Sequence, residues 1–364
     1  MIGLAVLLLA AAAGLGAAKA LRIPALPLLL VAGVALSLLG ALPSAAILEE
    51  ALVLGLTVLV FVSGIELSPR RIRPQWRLVL RIGLAQFALL GAAGYGAARL
   101  LGFPATAAGY LAVAVAASST LVVVRLLRER ERMFEPAGRM LLGVLLLQDL
   151  LVILLIPVLM RAPSGAGAAA LGLAGALALM ALAGACLIWL TPLLVARLAD
   201  DEEMLLLVTL ALLFIFLALA DVLRLPVVAG GFLAGVALSR FPLSGIVHGQ
   251  LAPVADFFLA IFFTALGGIL VVPTLPDLLR ALALAATVVL VTPPLVIWLA
   301  ERAGFSARPA IEAGLLLAQT SEFSLVLGMQ ALVLGQIEPE VFTVIALVTV
   351  LTMIATPFLS ADAV

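Results

Sequence analysis

The stretch LLGVLLLQDLLVILLIPVL, residues 141–159, carries only two polar side chains, Gln148 and Asp149, which are adjacent near its centre. About 20 consecutive apolar residues suffice for an α-helix to cross the hydrocarbon core of a bilayer. An ionised aspartate at the middle of such a helix costs roughly 2.5–3.5 kcal/mol on insertion scales, so intramembrane carboxylates usually line a polar pathway. The stretch therefore predicts a membrane-spanning helix with a functional carboxylate.

The composition of the whole chain agrees with this prediction. Of 364 residues, 65% are hydrophobic and 11% are charged, and the mean hydropathy is +1.34. Ordinary soluble domains have about 25% charged residues. The formal net charge is zero and no long basic tract is present, which argues against a nucleic-acid partner. We therefore predict an all-α polytopic protein surrounded by membrane lipid.

Proline, glycine and charge clusters divide the chain into thirteen apolar segments that are able to cross the membrane. The first resembles a secretory signal, but no basic residue precedes its apolar run, so we treat it as a spanning segment. Numbered in chain order, the segments cover about residues 1–18, 25–42, 47–67, 77–99, 105–127, 138–160, 168–197, 203–223, 226–240, 252–272, 277–300, 309–335 and 339–360.

The basic residues predict how the chain is oriented. Thirteen crossings place the two termini on opposite sides, and Lys and Arg concentrate in cytoplasmic loops. The alternate connections that are rich in basic residues contain Lys19, Arg22, Arg70, Arg71, Arg73, Arg77, Arg128, Arg130, Arg132, Arg139, Arg197, Arg240, Arg302 and Arg308. We therefore expect an external N-terminus and a cytoplasmic C-terminus in a bacterial inner membrane. The run RERERMFE, residues 128–135, is interpreted as part of this signal on a solvated loop, and a regulatory contact is the alternative.

An internal repeat is visible at an offset of 202 residues. AGVALS occurs at 32–37 and again at 234–239, and FVSG beginning at Phe61 aligns with FTAL beginning at Phe263. The offset spans seven segments, an odd number, so the two halves are predicted to be inverted. Inverted repeats are typical of secondary transporters, whose substrate site lies near the midplane where discontinuous helices meet.

Hydroxyl clusters lie at the middle of segments 5 and 12, and they also align in the repeat. Ser and Thr side chains there can cap backbone groups that become free where a helix is broken. Ordinary Ser and Thr hydrogen bonds within intact helices are the alternative. We favour two crossed, discontinuous helices whose polar residues are Ser118, Ser119, Thr120, Thr320, Ser321 and Glu322.

Asp149 is then predicted to lie beside this crossing. An apolar environment favours a neutral carboxyl group, whereas a bound cation favours the ionised form, so a proton and a cation would compete for the same group. Gln148 and free backbone carbonyls are candidate further ligands of a monovalent cation. Glu322 is interpreted as a second ligand or as a structural acceptor at the break. Glu66 is a weaker candidate, equally well explained as an interfacial residue.

The motifs at these positions resemble those of monovalent cation:proton antiporters, most closely the Kef-type potassium efflux branch. The matching sequences occur in order along nearly the whole chain and are FVSGIELSPRRI, SSTLVVVRLLRER, GRMLLGVLLLQDLLVI, GGFLAGVALS, PVADFFLAIFFTALGG and LLLAQTSEFSLVL.

The resemblance implies thirteen helices and a homodimer. It further implies a scaffold at about 1–67 and 203–272, a linker helix at about 168–197, and a moving core at about 77–160 and 277–360. The ion site would be Gln148 and Asp149, with Asp149 as the proton carrier.

The chain departs from the family pattern in two respects. Many relatives carry a lysine in segment 11, where this chain has Thr292, so Asp149 is expected to have no basic partner. Kef-type proteins also continue into a cytoplasmic nucleotide-binding domain, whereas this chain ends four residues after segment 13. We expect a short relative or the membrane part of a longer protein, with no cofactor in the chain itself.

The expected function is exchange of a monovalent cation for protons by alternating access. Potassium is favoured because an uncharged amide beside Asp149 lowers the local field, which disfavours the more strongly hydrated sodium. A sodium/proton antiporter is the nearest alternative. A cation channel, such as a ligand-gated potassium efflux pore, and a transport-inactive scaffold are alternatives from other classes. No enzyme activity is expected.

Overall fold

The computed structural model describes residues 2–21, 25–67, 73–198, 201–240, 243–271 and 273–361. These residues form sixteen α-helices, two short 3-10 helices and one π-helical turn at Cys186–Leu190, and they contain no β-strand. The all-α prediction is therefore confirmed. The helices are α1 (Ile2–Leu21), α2 (Ala25–Leu38), α3 (Ala45–Glu66), α4 (Trp76–Leu100), α5 (Ala105–Ala116), α6 (Thr120–Glu129), α7 (Pro136–Arg161), α8 (Ala166–Ala185), α9 (Thr191–Leu198), α10 (Glu202–Val222), α11 (Val227–Ala237), α12 (Leu243–Ile269), α13 (Leu275–Arg302), α14 (Ala307–Leu316), α15 (Phe323–Val333) and α16 (Pro339–Ala361).

Each predicted apolar segment coincides with a helix or with two helices separated by a break. Within the described ranges, nine spans are long and apolar enough to cross a membrane, or ten if the bent pair Leu243–Leu251 and Pro253–Ile269 counts as one. The helices α2, α11 and α15 are apolar but shorter than the usual crossing length. The number of thirteen crossings stays a prediction.

The 202-residue repeat reappears in the helix boundaries. Helix α2 begins at Ala25 and α11 at Val227, and α5 begins at Ala105 and α14 at Ala307, each pair 202 residues apart. The break between α5 and α6 likewise has its counterpart between α14 and α15. The repeat therefore extends beyond the short sequence identities to the order and placement of the helices.

The chain divides into two compact units. Unit A contains residues 1–68 and 174–271, and unit B contains residues 69–173 and 272–364. In the middle of the sequence, the chain leaves unit B and enters unit A within α8. Each unit therefore combines one part from each half of the repeat.

Unit A is held together by helices whose backbones approach closely at glycines. Helix α12 packs on α2 and α3, and α11 packs on α3 and α10. A Cβ atom on Gly33 of α2 would overlap the carbonyl oxygen of Thr264 in α12, and one on Gly235 of α11 would overlap that of Phe61 in α3. Both glycines belong to the AGVALS copies. Small residues at such positions let helices in a membrane pack backbone to backbone, and here they do so within a single chain.

Unit B contains two broken helix pairs, α5 with α6 and α14 with α15, and the two pairs run antiparallel to each other. At one end, Tyr110 of α5 donates a hydrogen bond to Oε1 of Gln336, which follows α15, and Nε2 of Gln336 donates to the carbonyl oxygen of Met160 at 2.9 Å. The N-terminal part of α5 thus lies beside the C-terminal end of α15. This arrangement is what an inverted repeat requires.

A cluster of charges makes the corresponding contact at the other end of unit B. Glu312 of α14 pairs with Arg130 at 2.9 Å and also with Arg132, and the three side chains are only 6%, 17% and 25% exposed, respectively. Glu312 follows Tyr110 by 202 residues. The interpretation of 128–135 as simply a solvated loop was incomplete, because two of its arginines bind a nearly buried carboxylate.

The close packing in unit A predicts that Gly235→Ala destabilises the protein. The added methyl group meets the backbone of α3, which cannot move aside, so we expect a loss of about 1–3 kcal/mol in the free energy of unfolding, as for other overpacked cores. Gly245→Ala in α12 is the control, because its Cβ would meet no atom within 4 Å, and alanine favours a helix by about 1 kcal/mol over glycine. Equal unfolding transitions of the two variants in detergent would contradict the packing described.

Candidate functional site

The first helix break lies where the sequence predicts it, between α5 and α6. Helix α5 ends at Ala116, Ala117 is extended with φ −102° and ψ 143°, and α6 begins at Thr120. Ser119 is the N-cap of α6, and its Oγ accepts a hydrogen bond from the backbone nitrogen of Val122 at 3.3 Å. The serine therefore satisfies a backbone donor that the break leaves free.

The second break lies between α14, which ends at Leu316, and α15, which begins at Phe323. The backbone nitrogen of Thr320 donates to Oγ1 of Thr352 on α16 at 3.1 Å. The backbone nitrogen of Phe323 donates to Oγ of Ser321 at 3.2 Å. Ser321 of segment 12 and Thr352 of segment 13 thus replace backbone hydrogen bonds that an intact helix would make; the role of Ser321 was predicted and that of Thr352 was not.

The two breaks bind each other directly. Oγ of Ser118 donates to the carbonyl oxygen of Leu317 at 2.8 Å. Oε1 of Glu322 accepts from Oγ of Ser119 at 2.5 Å and from the backbone nitrogen of Leu121 at 3.2 Å. Glu322 therefore caps α6 from the opposite broken helix, where a carboxylate is also stabilised by the helix dipole. This geometry favours the structural interpretation of Glu322.

Gln148 and Asp149 of α7 face the first break. Oε1 of Gln148 accepts from the backbone nitrogen of Ser118 at 3.0 Å, and Oδ2 of Asp149 accepts from Oγ1 of Thr120 at 2.8 Å. Both side chains are fully buried. The structure therefore brings the two predicted residues of α7 together with the hydroxyl cluster of segment 5.

One oxygen of this buried carboxylate is not used by the protein. Oδ1 of Asp149 has no hydrogen-bond partner among the described residues, and neither has Nε2 of Gln148. A buried ionised carboxylate without compensation costs several kcal/mol in proteins, so it acquires a neutralising partner. The free oxygen can take either a proton or a cation.

Among the described residues, the one hydrogen bond to Asp149 comes from Thr120, and no basic side chain binds its carboxylate. Helix α13 carries no basic residue between Arg280 and Arg302, and Thr292 between them is fully buried. Oγ1 of Thr292 has no hydrogen-bond partner within the described ranges. The same ranges contain no group of three His, Cys, Asp or Glu side chains that could hold a metal ion.

The remaining sequence candidates are placed as follows. Oγ1 of Thr320 lies 3.2 Å from Oγ1 of Thr352, and Oγ of Ser321 donates to Oε2 of Glu322 at 3.4 Å. Glu66 is the last residue of α3 in unit A, and its side chain lies outside the described part of the structure.

Gln86 is a further residue at the breaks, and it is absent from the candidates predicted from sequence. This fully buried residue of α4 donates from Nε2 to Oγ of Ser118 at 3.2 Å and to the carbonyl oxygen of Leu317 at 3.4 Å. An amide in the middle of the apolar run of segment 4, within IGLAQFALL, was the available signal.

Comparison with known protein families gives one match over nearly the whole chain. The model of the family described as "sodium/hydrogen exchanger, transmembrane" matches residues 5–361.

Individual proteins are also similar to this chain. K(+) efflux antiporter 4 of Arabidopsis thaliana is 29% identical over 317 residues, which are 84% of this chain and 53% of that protein. The glutathione-regulated potassium-efflux system protein KefC of Salmonella heidelberg (strain SL476) is 30% identical over 316 residues, which are 84% of this chain and 50% of that protein. The chain thus spans about half the length of the curated relatives it matches.

The fold is similar to that of a solved protein. The structure of the sodium proton antiporter MjNhaP1 from Methanocaldococcus jannaschii at pH 8 has a TM-score of 0.71 at 16% identity, covering 100% of this chain and 98% of that one. A second structure of MjNhaP1 has a TM-score of 0.73 at 18% identity, with coverage of 100% and 96%. At these identities the likeness concerns the fold.

The cap that Glu322 provides predicts the effect of changing it. Glu322→Ala leaves the backbone nitrogen of Leu121 and the hydroxyl of Ser119 without their acceptor, so we expect a loss of about 1–3 kcal/mol in the free energy of unfolding. Glu322→Gln keeps an acceptor oxygen and should lose less. Thermal unfolding in detergent measures both, with the exposed Glu338→Ala as the control. An unchanged transition for Glu322→Ala would show that the cap contributes nothing.

Proposed function

The chain belongs to the sodium/hydrogen exchanger family, and on that premise we propose that it exchanges a monovalent cation for protons, with Asp149 as the shared carrier. The observation that supports this most strongly is the fully buried carboxylate of Asp149, whose Oδ1 has no hydrogen-bond partner among the described residues. A group of this kind can be neutralised by either substrate, and it cannot hold both at the same time.

Competition for one carboxylate couples the two fluxes. When Asp149 faces the side of higher proton concentration, it exchanges its cation for a proton, and on the other side it makes the reverse exchange. An empty, ionised Asp149 is costly to seal away from water. The carrier therefore changes sides only when it is loaded, which makes the transport an exchange.

Gln148 and the helix breaks would complete the cation site. Oε1 of Gln148 already accepts one hydrogen bond from Ser118, and an amide oxygen has a second lone pair with which to contact a cation. Thr120 is bound to the other oxygen of Asp149. Oxygen ligands that are mostly neutral produce a weak field, so we propose potassium as the favoured cation and sodium as the alternative.

The names of the similar proteins mention both potassium and sodium as transported cations. The two curated relatives carry potassium efflux in their names, whereas the solved structures are those of a sodium proton antiporter. Identity is higher to the potassium proteins, at 29–30% against 16–18%. This agrees with our preference for potassium.

We further propose how the molecule is organised for transport. Unit B, which contains Asp149 and both breaks, would be the moving core, and unit A the scaffold. We propose a homodimer in the inner membrane of a bacterium, with the N-terminus outside and the C-terminus in the cytoplasm. We propose that the short segments 2 and 9, which contain the two AGVALS copies, belong to the scaffold against which the core moves, and their glycines pack on other helices of unit A.

The carrier role predicts that Asp149→Asn abolishes exchange. The amide of the variant has no charge to be neutralised, so the variant should fold normally. When a proton gradient is applied, its cation flux should equal that of liposomes without protein. The exposed Asp221→Asn is the control and should transport like the wild type. Gln148→Ala should raise the KM for the cation about tenfold, the equivalent of about 1.4 kcal/mol.

Either of two results would contradict this proposal. Coupled exchange that persists in Asp149→Asn would mean that another group carries the proton. Cation flux through the wild type that is independent of pH on both faces would indicate a channel.

The preference for potassium predicts the order of the binding heats. Titration of the purified protein with each chloride salt at constant ionic strength should give a lower Kd for potassium than for sodium. The same titration of Asp149→Asn should give no specific heat and so provides the control. Tighter binding of sodium would reverse the assignment and leave the exchange mechanism intact.

A further inference from the structure

The side chain of Gln86, on α4, makes hydrogen bonds to both helix breaks. Among the described residues, no other side chain outside the two broken helix pairs and α7 does so. Nε2 of Gln86 lies 3.2 Å from Oγ of Ser118 at the first break and 3.4 Å from the carbonyl oxygen of Leu317 at the second. Ser118 and Leu317 are themselves joined at 2.8 Å. The three groups therefore close a ring of hydrogen bonds between α4 and the two breaks.

This ring requires that one atom of the side chain at position 86 donate two hydrogen bonds, one to Ser118 and one to Leu317. The hydroxyl hydrogen of Ser118 is directed at Leu317, so Ser118 can only accept from Gln86, and the carbonyl of Leu317 can only accept. A hydroxyl or a carboxyl group at position 86 could serve one of these acceptors but not both. An ammonium group could serve both, but it would add a positive charge near a cation site. A glutamine is the neutral side chain that fits.

The need to donate to both Ser118 and Leu317 also fixes the orientation of the Gln86 amide. With the amide reversed, its oxygen would face the carbonyl oxygen of Leu317, and two acceptors would repel each other. Oε1 of Gln86 is accordingly directed away from the ring, and it has no hydrogen-bond partner among the described residues. The residue is fully buried, so burying this unpaired oxygen costs free energy that the ring must offset.

The ring extends to the ion site through Ser118. The backbone nitrogen of Ser118 donates to Oε1 of Gln148 at 3.0 Å, and Thr120, two residues on, donates to Asp149 at 2.8 Å. A shift of the first break relative to the second would move both contacts together. A displacement of this kind changes the cation site without removing any of its ligands.

We infer that Gln86 is a positioning residue of the ion site, which acts through Ser118 and Leu317 to hold the two helix breaks in register around Gln148 and Asp149. This inference rests on the proposed exchange function. Gln86 itself need not touch the cation, and its loss should affect cation affinity more than the maximum rate.

The test compares Gln86→Met with the wild type in proteoliposomes. Methionine has a similar length and shape but donates no hydrogen bond. We expect the KM for potassium to rise about tenfold while the maximum rate changes less than threefold. Thr349→Val is the matched control, because Thr349 is also fully buried and its described side-chain hydrogen bond stays within α16, to the carbonyl oxygen of Ile345 at 2.9 Å. It should lower the unfolding temperature and leave KM unchanged.

A double-mutant cycle with Ser118→Ala separates positioning from general stability. If Gln86 acts through Ser118, the effects of the two substitutions on KM should be far from additive. Additive effects, or a wild-type KM in Gln86→Met, would overturn the inference. If Gln86→Met does not fold, Gln86→Asn replaces it, because its amide is one methylene too short to reach both breaks, and a wild-type KM there would overturn the inference equally.

The failure of the inference is distinguishable from that of the proposed function. Wild-type protein that shows no coupled cation and proton exchange overturns the function, and the inference with it. If the wild-type protein exchanges and Gln86→Met has the wild-type KM, or Gln86→Asn has it where Gln86→Met does not fold, the inference alone is overturned.

Discussion

Backbone polar groups at membrane depth must be satisfied by the protein itself, and unit B is organised around the two places where α-helices do not satisfy them. The breaks after Ala116 and Leu316 free N–H and C=O groups that side chains must then bind. Ser119, Glu322 and Thr352 cap these groups, and Ser118 joins one break to the other. The polar centre of unit B therefore exists because two helices are interrupted where they contact each other.

The same constraint explains why Asp149 is suited to carry ions. The hydroxyls of Ser118 and Ser119 donate to Leu317 and Glu322, and Asp149 receives one hydrogen bond, from Thr120. Its second oxygen is left for a proton or a cation. At the two ends of unit B, the contacts of Tyr110 with Gln336 and of Glu312 with Arg130 and Arg132 hold the broken pairs together. The pairs are thus fixed at both ends while the breaks between them remain polar.

Much of this could be predicted from sequence because lipid imposes a strong pattern. Long apolar segments, the hydroxyl clusters at 118–120 and 320–322, and Asp149 within an otherwise apolar stretch all stand out against hydrocarbon. The 202-residue offset, found from short identities, also matches the helix boundaries. Contacts between distant residues were less accessible. Nothing near Glu312 in sequence indicates that it binds Arg130 and Arg132, and the two hydrogen bonds of Gln86 depend on the register of three helices.

We propose that Asp149 alone carries both substrates, since α13 has the uncharged Thr292 at the position where the resemblance to the antiporters implies a lysine. A one-for-one exchange on a single carboxylate moves no net charge, so membrane voltage should not affect it. The decisive measurement is the initial exchange rate in proteoliposomes with the voltage set by a gradient of a lipophilic ion. Moving one charge across the membrane is worth about 2.3 kcal/mol per 100 mV, enough to change the rate by more than about tenfold. We predict the same rate at all voltages, and a rate that rises steeply with voltage would show that a second group carries charge.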